Sequence, residues 1–174
     1  MKKIKLLSLM ISMAYSVPCI VDMENRDVIR NDYTFHETIQ SEHFIIHFTT
    51  ANVDSQEVFG TWYNLQSNFG YAQSIIDHLE AAYAAYINTG WEAPPPDCDE
   101  SISNIDSPQH CNNFGGNSLY DVYIANDAAG MVVPETPYSV EPYTGGYTSF
   151  MKISTLLNEY DELPSWSQHV IAHE

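Results

Sequence analysis

The order of three β-rich runs around one long helical stretch most constrains the fold of this chain. Residues 41–50, 119–124 and 147–154 are rich in β-branched and aromatic residues and are bounded by polar or turn-forming ones, as strands are. Between the first two runs, apolar residues recur at helical spacing over residues 71–87, and Gly90 follows where such a helix would end. This order predicts an α+β fold in which a mixed β-sheet is backed by a helix.

The first 16 residues have the features of a signal peptide. Three of the six lysines and arginines fall within the first five positions, and an apolar run, residues 6–13, follows that is too short to span a bilayer. Small side chains at Ala14 and Ser16 favour cleavage after residue 16, and residues 12–14 offer a second cleavage site. A lipid anchor on Cys19 is the less favoured interpretation, because its surroundings match a lipoprotein box poorly. We expect a secreted or periplasmic product that leaves the membrane after cleavage.

The remaining chain is expected to divide into two parts. Residues 17–40 show little periodicity and are interpreted as a linker or pro-like segment, and residues 41–174 as one domain. No internal repeat is present, and no pattern indicates an oligomeric state.

The charge balance excludes several classes of partner. The chain has 23 acidic residues against 6 lysines and arginines, and its formal net charge is −17. Such a surface repels phosphate groups, which argues against nucleic acid and against an anionic membrane surface as partners. The acidity is typical either of a protein that binds cations such as Ca²⁺ or of a solvated acidic face, and the second interpretation is favoured.

A long irregular loop over residues 91–118 is the expected site of a disulfide. Cys98 and Cys111 flank its polar centre, and an exported protein reaches an oxidising compartment, so the two cysteines are predicted to pair. Cys19 is then left over. Carboxylates in this loop suggest Ca²⁺ binding as one interpretation and a solvated, disulfide-closed loop as the other, since no EF-hand spacing is present.

Two histidines in the first β-rich run are an even number of positions apart. In an extended strand His43 and His47 would lie on the same face as Ile45. Two histidines on one strand face suit a metal site, but such residues are more often surface or half-buried side chains.

The last predicted element carries the residues that suggest chemistry. A helix is expected to start near residues 163–165, where proline and serine suit a first turn, and it ends the chain with His173 and Glu174. In an H-E-x-x-H motif, two histidines four apart on one helix face bind one Zn²⁺ ion. The zinc lowers the pKa of its bound water, and the glutamate takes the proton as hydroxide attacks a peptide carbonyl. The chain supplies the first two residues of this motif.

Residues 165–174 and the order of the elements resemble secreted bacterial zincins. The chain is especially similar to a family of exported metalloproteases first noted in myxobacteria, whose acidic N-terminal half carries strands like residues 42–48 and 120–124 ahead of the zinc helix. The resemblance covers roughly residues 40–174 and implies a zincin-like N-terminal subdomain with a truncated active-site helix.

The resemblance also implies roles for particular residues. His173 would be a zinc ligand and Glu174 the general base of peptide-bond hydrolysis, with a second histidine three residues past Glu174 and another ligand further on. Residues 150–153 would form the sheet edge that pairs with an extended peptide or protein substrate. We therefore expect the N-terminal part of a zinc metallopeptidase that is inactive as this fragment alone.

Three alternatives stay open. His169 and His173 are themselves four apart and suit a shared metal ion. The chain also fits an exported, non-catalytic acidic module that binds Ca²⁺ or another ligand through the 91–118 loop, or an inactive relative of the peptidases. No G-x-S-x-G elbow and no Gly-rich phosphate loop compete with these interpretations.

Overall fold

The computed structural model describes residues 34–58, 60–98, 100, 103–105, 110–111, 115–125, 130–137, 147–160 and 171. Its elements are β1 (Glu37–Gln40), β2 (Phe44–Phe48), β3 (Ser55–Val58), β4 (Thr61–Asn64), α1 (Phe69–Asn88), β5 (Tyr120–Ile124), β6 (Gly130–Pro137), β7 (Tyr147–Ile153) and a 3-10 helix (Thr155–Tyr160). The prediction of an α+β fold with a mixed sheet and a backing helix is confirmed.

Five strands form one mixed sheet in the order β1-β2-β5-β7-β6. The three inner strands β2, β5 and β7 run parallel, and β1 and β6 pair antiparallel with the outer two of them. β3 and β4 form a separate hairpin. Its turn contains Gly60 at a φ of 81°, in the positive region that tight hairpin turns require.

The inner strands are the runs that sequence composition identifies most easily. Strands of a parallel sheet are buried on both faces, so they are apolar at successive positions rather than at alternate ones. Phe44, Ile45 and Ile46 of β2 are all buried, as are Val122, Tyr123 and Ile124 of β5. The strands predicted near residues 41–50, 119–124 and 147–154 are therefore confirmed as the parallel centre of the sheet.

Helix α1 packs against one face of this sheet. Asn68 caps it, since the Asn68 side-chain oxygen accepts a hydrogen bond of 2.9 Å from the backbone N–H of Tyr71. The buried positions Tyr71, Ala72, Ile75, Ile76 and Leu79 recur at intervals of three and four residues. They join the apolar side chains of β2, β5 and β7 in the main core, which also includes Leu157 and Ile171.

The opposite face of the sheet holds a smaller cluster. Tyr123, Val133 and Phe150 are buried there, with Phe35 and Met131 packed against them. The ring of Phe35 lies 5.3 Å from that of Tyr123, so the chain just before β1 covers part of this face.

Four strands, β1, β3, β4 and β6, lie where the sequence predicts none, and two of them belong to the main sheet. β1 falls inside the segment 17–40, which the sequence suggests is a linker, and β6 falls in a stretch with Gly130, Pro134 and Pro137. Both are outer strands. Proline is tolerated in an outer strand because its missing N–H faces away from the ladder, and the pairing of β6 is irregular between Pro134 and Pro137.

The expected substrate-pairing edge is wrong. Residues 150–153 belong to β7, which pairs with β5 on one side and with β6 on the other. Its backbone groups are therefore used within the sheet, and the edge on this side is β6.

Within the described part of the chain, no helix has the length and apolarity needed to cross a bilayer.

Candidate functional site

The residues predicted to carry the zinc chemistry lie largely beyond what the structure describes. His169, His173 and Glu174 fall outside the described residues. Ile171 is described, is helical and is 3% exposed. It packs in the main core with α1 and the parallel strands, so the chain just before His173 reaches the centre of the domain.

Cys98 and Cys111, which the sequence predicts to pair, form a disulfide with a sequence separation of 13. Both cysteines are buried. The cross-link fixes the loop whose end leads into β5.

Carboxylates in this loop are used in different ways. Asp97, next to the disulfide, is only 2% exposed. Glu100 accepts hydrogen bonds from the hydroxyl and the backbone N–H of Ser118, at 2.7 and 3.1 Å. These bonds lower the pKa of Glu100 below its ordinary value. Among the residues that the structure describes, no three His, Cys, Asp or Glu side chains come together as metal ligands would.

The prediction that His43 and His47 share a face is wrong. Residues 42 and 43 form a bend before β2, so the alternation of the strand does not extend back to His43. The ring of His43 turns towards α1, where it stacks on Tyr83 with centroids 3.9 Å apart. The ring of His47 stacks instead on Tyr123, on the other face of the sheet.

His43 ties the start of β2 to α1. Its Nδ1 lies 2.8 Å from one oxygen of Glu80, and its backbone N–H donates to the other at 3.1 Å. With the carboxylate ionised, Nδ1 must carry the proton of this bond. Burial raises the pKa of Glu80, but hydrogen bonds from Ser41 and His43 and the attraction to the His43 ring lower it more, so the net pKa is below the ordinary value.

His47 and Asp121 form a second pair, on the face of the sheet opposite α1. The Nε2 atom of His47 lies 2.6 Å from an Asp121 oxygen. Asp121 is fully buried, and the His47 side chain is 13% exposed. A carboxylate that holds an imidazole in one tautomer is a common arrangement in active sites, but catalysis also needs an accessible partner for the ring.

His47 also belongs to a row of side chains that crosses the whole sheet. Thr38, His47, Tyr123, Lys152 and Met131 occupy directly opposed positions on the five strands. The rings of His47 and Tyr123 are stacked and nearly parallel, with centroids 4.6 Å apart and planes inclined by 14°. Lys152 is 9% exposed and is the sole lysine or arginine in the described ranges. These contacts best fit a structural role for His47 and Asp121 on this face of the sheet.

The loop approaches Asp121 closely at one point. Gly115 has a φ of 78°, and a Cβ atom placed on it would collide with the Asp121 carboxylate. Only glycine combines this backbone conformation with this contact. Sequence reasoning does not find the pairing of Asp121 with His47, since the two residues are 74 positions apart. The one available signal is an aspartate inside an apolar strand, which requires a partner when it is buried.

Comparison with known protein families, curated proteins and solved structures finds no match for this chain.

Proposed function

We propose that this chain is the N-terminal part of an exported zinc metallopeptidase, in which His173 is a zinc ligand and Glu174 the general base. The proposal rests on the signal-like first 16 residues, on the His-Glu pair and on the element order of the fold. The main elements ahead of residue 171 are, in chain order, β2, α1, β5, β6 and β7. Of these strands, β2, β5 and β7 run parallel, and β6 is an antiparallel outer strand. A strand–helix–strand–strand order of this kind resembles that of the N-terminal half of a zincin.

The observation that carries the proposal is the burial of Ile171 in a helical conformation. A terminal segment that only trailed from the domain would leave this side chain in water. The burial of Ile171 supports the proposal, because the H-E-x-x-H motif needs a helix that is held against the domain.

The proposed chemistry needs groups that lie beyond Glu174. A zinc ion would supply Lewis acidity and a bound water of lowered pKa. Glu174 would accept the proton of that water and return it to the leaving amine. A histidine three residues after Glu174 would complete the motif, so the test uses the product of the complete gene.

Metal content tests the ligand assignment. The purified gene product should contain about one zinc ion per chain by mass spectrometry of the metal. His173→Ala should lose most of it, whereas His36→Ala, at an exposed position before β1, should keep it. Equal zinc content in the two variants would remove His173 from the site.

A second candidate function is Ca²⁺ or ligand binding by the 91–118 loop. The observation in its favour is that this disulfide-closed loop holds the carboxylate of Asp97 almost wholly buried. This module would gain thermal stability from Ca²⁺ but none from Zn²⁺. An unchanged melting temperature in millimolar Ca²⁺ would remove its main support.

A further inference from the structure

The imidazole of His43 is held in one position where β2 begins beside α1. Its Nδ1 atom lies 2.8 Å from one carboxylate oxygen of Glu80, and the backbone N–H of His43 donates to the other oxygen at 3.1 Å. The ring also stacks on Tyr83, with planes inclined by 26°. The hydrogen bond and the stacking together fix both the tautomer and the orientation of the ring.

These contacts leave the second ring nitrogen of His43 available. Because Nδ1 carries the proton that Glu80 accepts, Nε2 of the neutral ring holds a lone pair. Nε2 makes no hydrogen bond to the residues that the structure describes and is not fully buried, and the side chain as a whole is 31% exposed. A carboxylate that holds one nitrogen of an imidazole while the other nitrogen stays accessible is the usual support of a metal-binding histidine.

A second carboxylate lies next to this accessible nitrogen. One oxygen of Glu42 is 4.0 Å from Nε2 of His43, and the Glu42 side chain is 85% exposed. Two atoms bound to one Zn²⁺ ion in a tetrahedral site lie about 3.3 Å apart, given bond lengths of about 2.0–2.1 Å. A small rotation of the exposed Glu42 side chain closes this difference, and the ring of His43 does not have to move.

We propose that Nε2 of His43 and the carboxylate of Glu42 bind one divalent transition-metal ion, with Glu80 as the positioning residue behind the ring. An imidazole ligand suits Zn²⁺, Cu²⁺ and Ni²⁺, whereas Ca²⁺ and Mg²⁺ prefer oxygen ligands alone. Water fills the other positions of the ion, since the described residues bring no third ligand side chain to this place. The formal charge of −17 favours a cation as ligand. The site uses none of residues 169–174 and is independent of the proposed peptidase centre.

A Zn²⁺ titration of ¹⁵N-labelled full-chain protein, followed at the ring nitrogens of each histidine, tests the site. The Nε2 signal of His43 should shift while Nδ1 stays protonated. His36 is the internal comparison, because it is exposed and adjoins Glu37 but has no carboxylate bonded to its ring among the described residues. His43 should respond at a zinc concentration at least about tenfold lower than His36 does. Equal responses would indicate adventitious binding only and would overturn the proposal, as would no response at His43.

Two variants test the carboxylates separately. Glu80→Gln keeps an acceptor for the Nδ1 proton but removes its charge, and it should weaken zinc binding at His43 by about ten- to a hundredfold. Glu42→Gln should weaken it by at least about tenfold, because losing a ligand costs no less than losing the group that supports one. Folding should not depend on Glu42, since its side chain is exposed. Glu57→Gln, on β3, is the control and should bind zinc as the parent does. Parent-like affinity in Glu42→Gln or in Glu80→Gln would contradict the assignment.

Discussion

The imidazole of His47 and the carboxylate of Asp121 meet at 2.6 Å on the face of the sheet opposite α1. Their strands are adjacent and parallel, and Asp121 lies two positions before Tyr123, the residue directly opposite His47. Because Asp121 is fully buried, its carboxylate oxygens need hydrogen-bond partners within the fold.

Removing Asp121 should therefore destabilise the fold strongly. Breaking a buried pair by deleting one partner costs about 3–5 kcal/mol, so Asp121→Ala should lower the free energy of unfolding in urea by that order. Asp77→Ala, on the exposed side of α1, should change it by no more than about 0.5 kcal/mol. If the pair is coupled, His47→Ala should cost less in the Asp121→Ala background than alone. Strict additivity would show that the two side chains act independently.

Gly115 should be the less replaceable of the two glycines in the 91–118 loop. Gly115→Ala meets both a positive φ and the Asp121 carboxylate, whereas Gly116→Ala meets a φ of 102° with open space around it. Backbone strain of this kind costs about 1–3 kcal/mol, and the collision adds to it only at Gly115. The melting temperature of Gly115→Ala should therefore be clearly lower than that of Gly116→Ala. Equal melting temperatures would mean that the loop does not press on Asp121.

The disulfide should contribute measurably to stability. Cys98 and Cys111 close a short loop, and the entropy removed from the unfolded chain by such a loop corresponds to about 3 kcal/mol. Urea unfolding with and without a reducing agent measures this difference. A Cys98→Ser, Cys111→Ser double variant should match the reduced protein and should no longer respond to the reducing agent.

Glu80 should make stability depend on pH in the acid range. Its pKa in the folded protein lies below the ordinary value of 4.5, so it stabilises the fold above that value. The contribution is lost as the pH falls through the folded pKa. The effect is small, about 0.2–1 kcal/mol, because the side chain is 30% exposed. Glu80→Gln should thus be less stable than the parent at pH 6 and nearly equal at pH 2.5.

An exposed carboxylate provides the control for that experiment. Glu57→Gln, on β3, should follow the parent across the same pH range. If Glu80→Gln also follows the parent, the bonds from Ser41 and His43 do not favour the charged form of Glu80.

The strands and helix that the sequence predicts are those whose composition reflects burial. β2, β5 and β7 are buried at most positions on both faces and rich in apolar residues, and α1 carries a buried stripe with a capping asparagine. β1, with the sequence Glu-Thr-Ile-Gln, and the hairpin β3–β4 are polar and short, so hydrophobic periodicity does not mark them. β6 contains prolines, which argue against a strand when only the sequence is considered. They are tolerated because β6 lies at the edge of the sheet.

The side-chain pairs were not predictable for a different reason. Strand alternation predicts the wrong face for His43, because a bend precedes β2 and turns the ring to α1. His47 and Asp121 meet because β2 and β5 become neighbours, and sequence separation carries no information about that pairing. The disulfide is predictable because the chain has three cysteines and two of them, Cys98 and Cys111, flank one loop.

The most direct test of the central proposal is peptidase activity of the complete gene product with Glu174→Gln. This substitution removes the general base and leaves the zinc ligands in place. We predict that the variant binds zinc as the parent does and loses peptidase activity by at least about a hundredfold, while Glu92→Gln, at an exposed position after α1, keeps full activity. Zinc-dependent peptidase activity that is unchanged in Glu174→Gln would contradict the account.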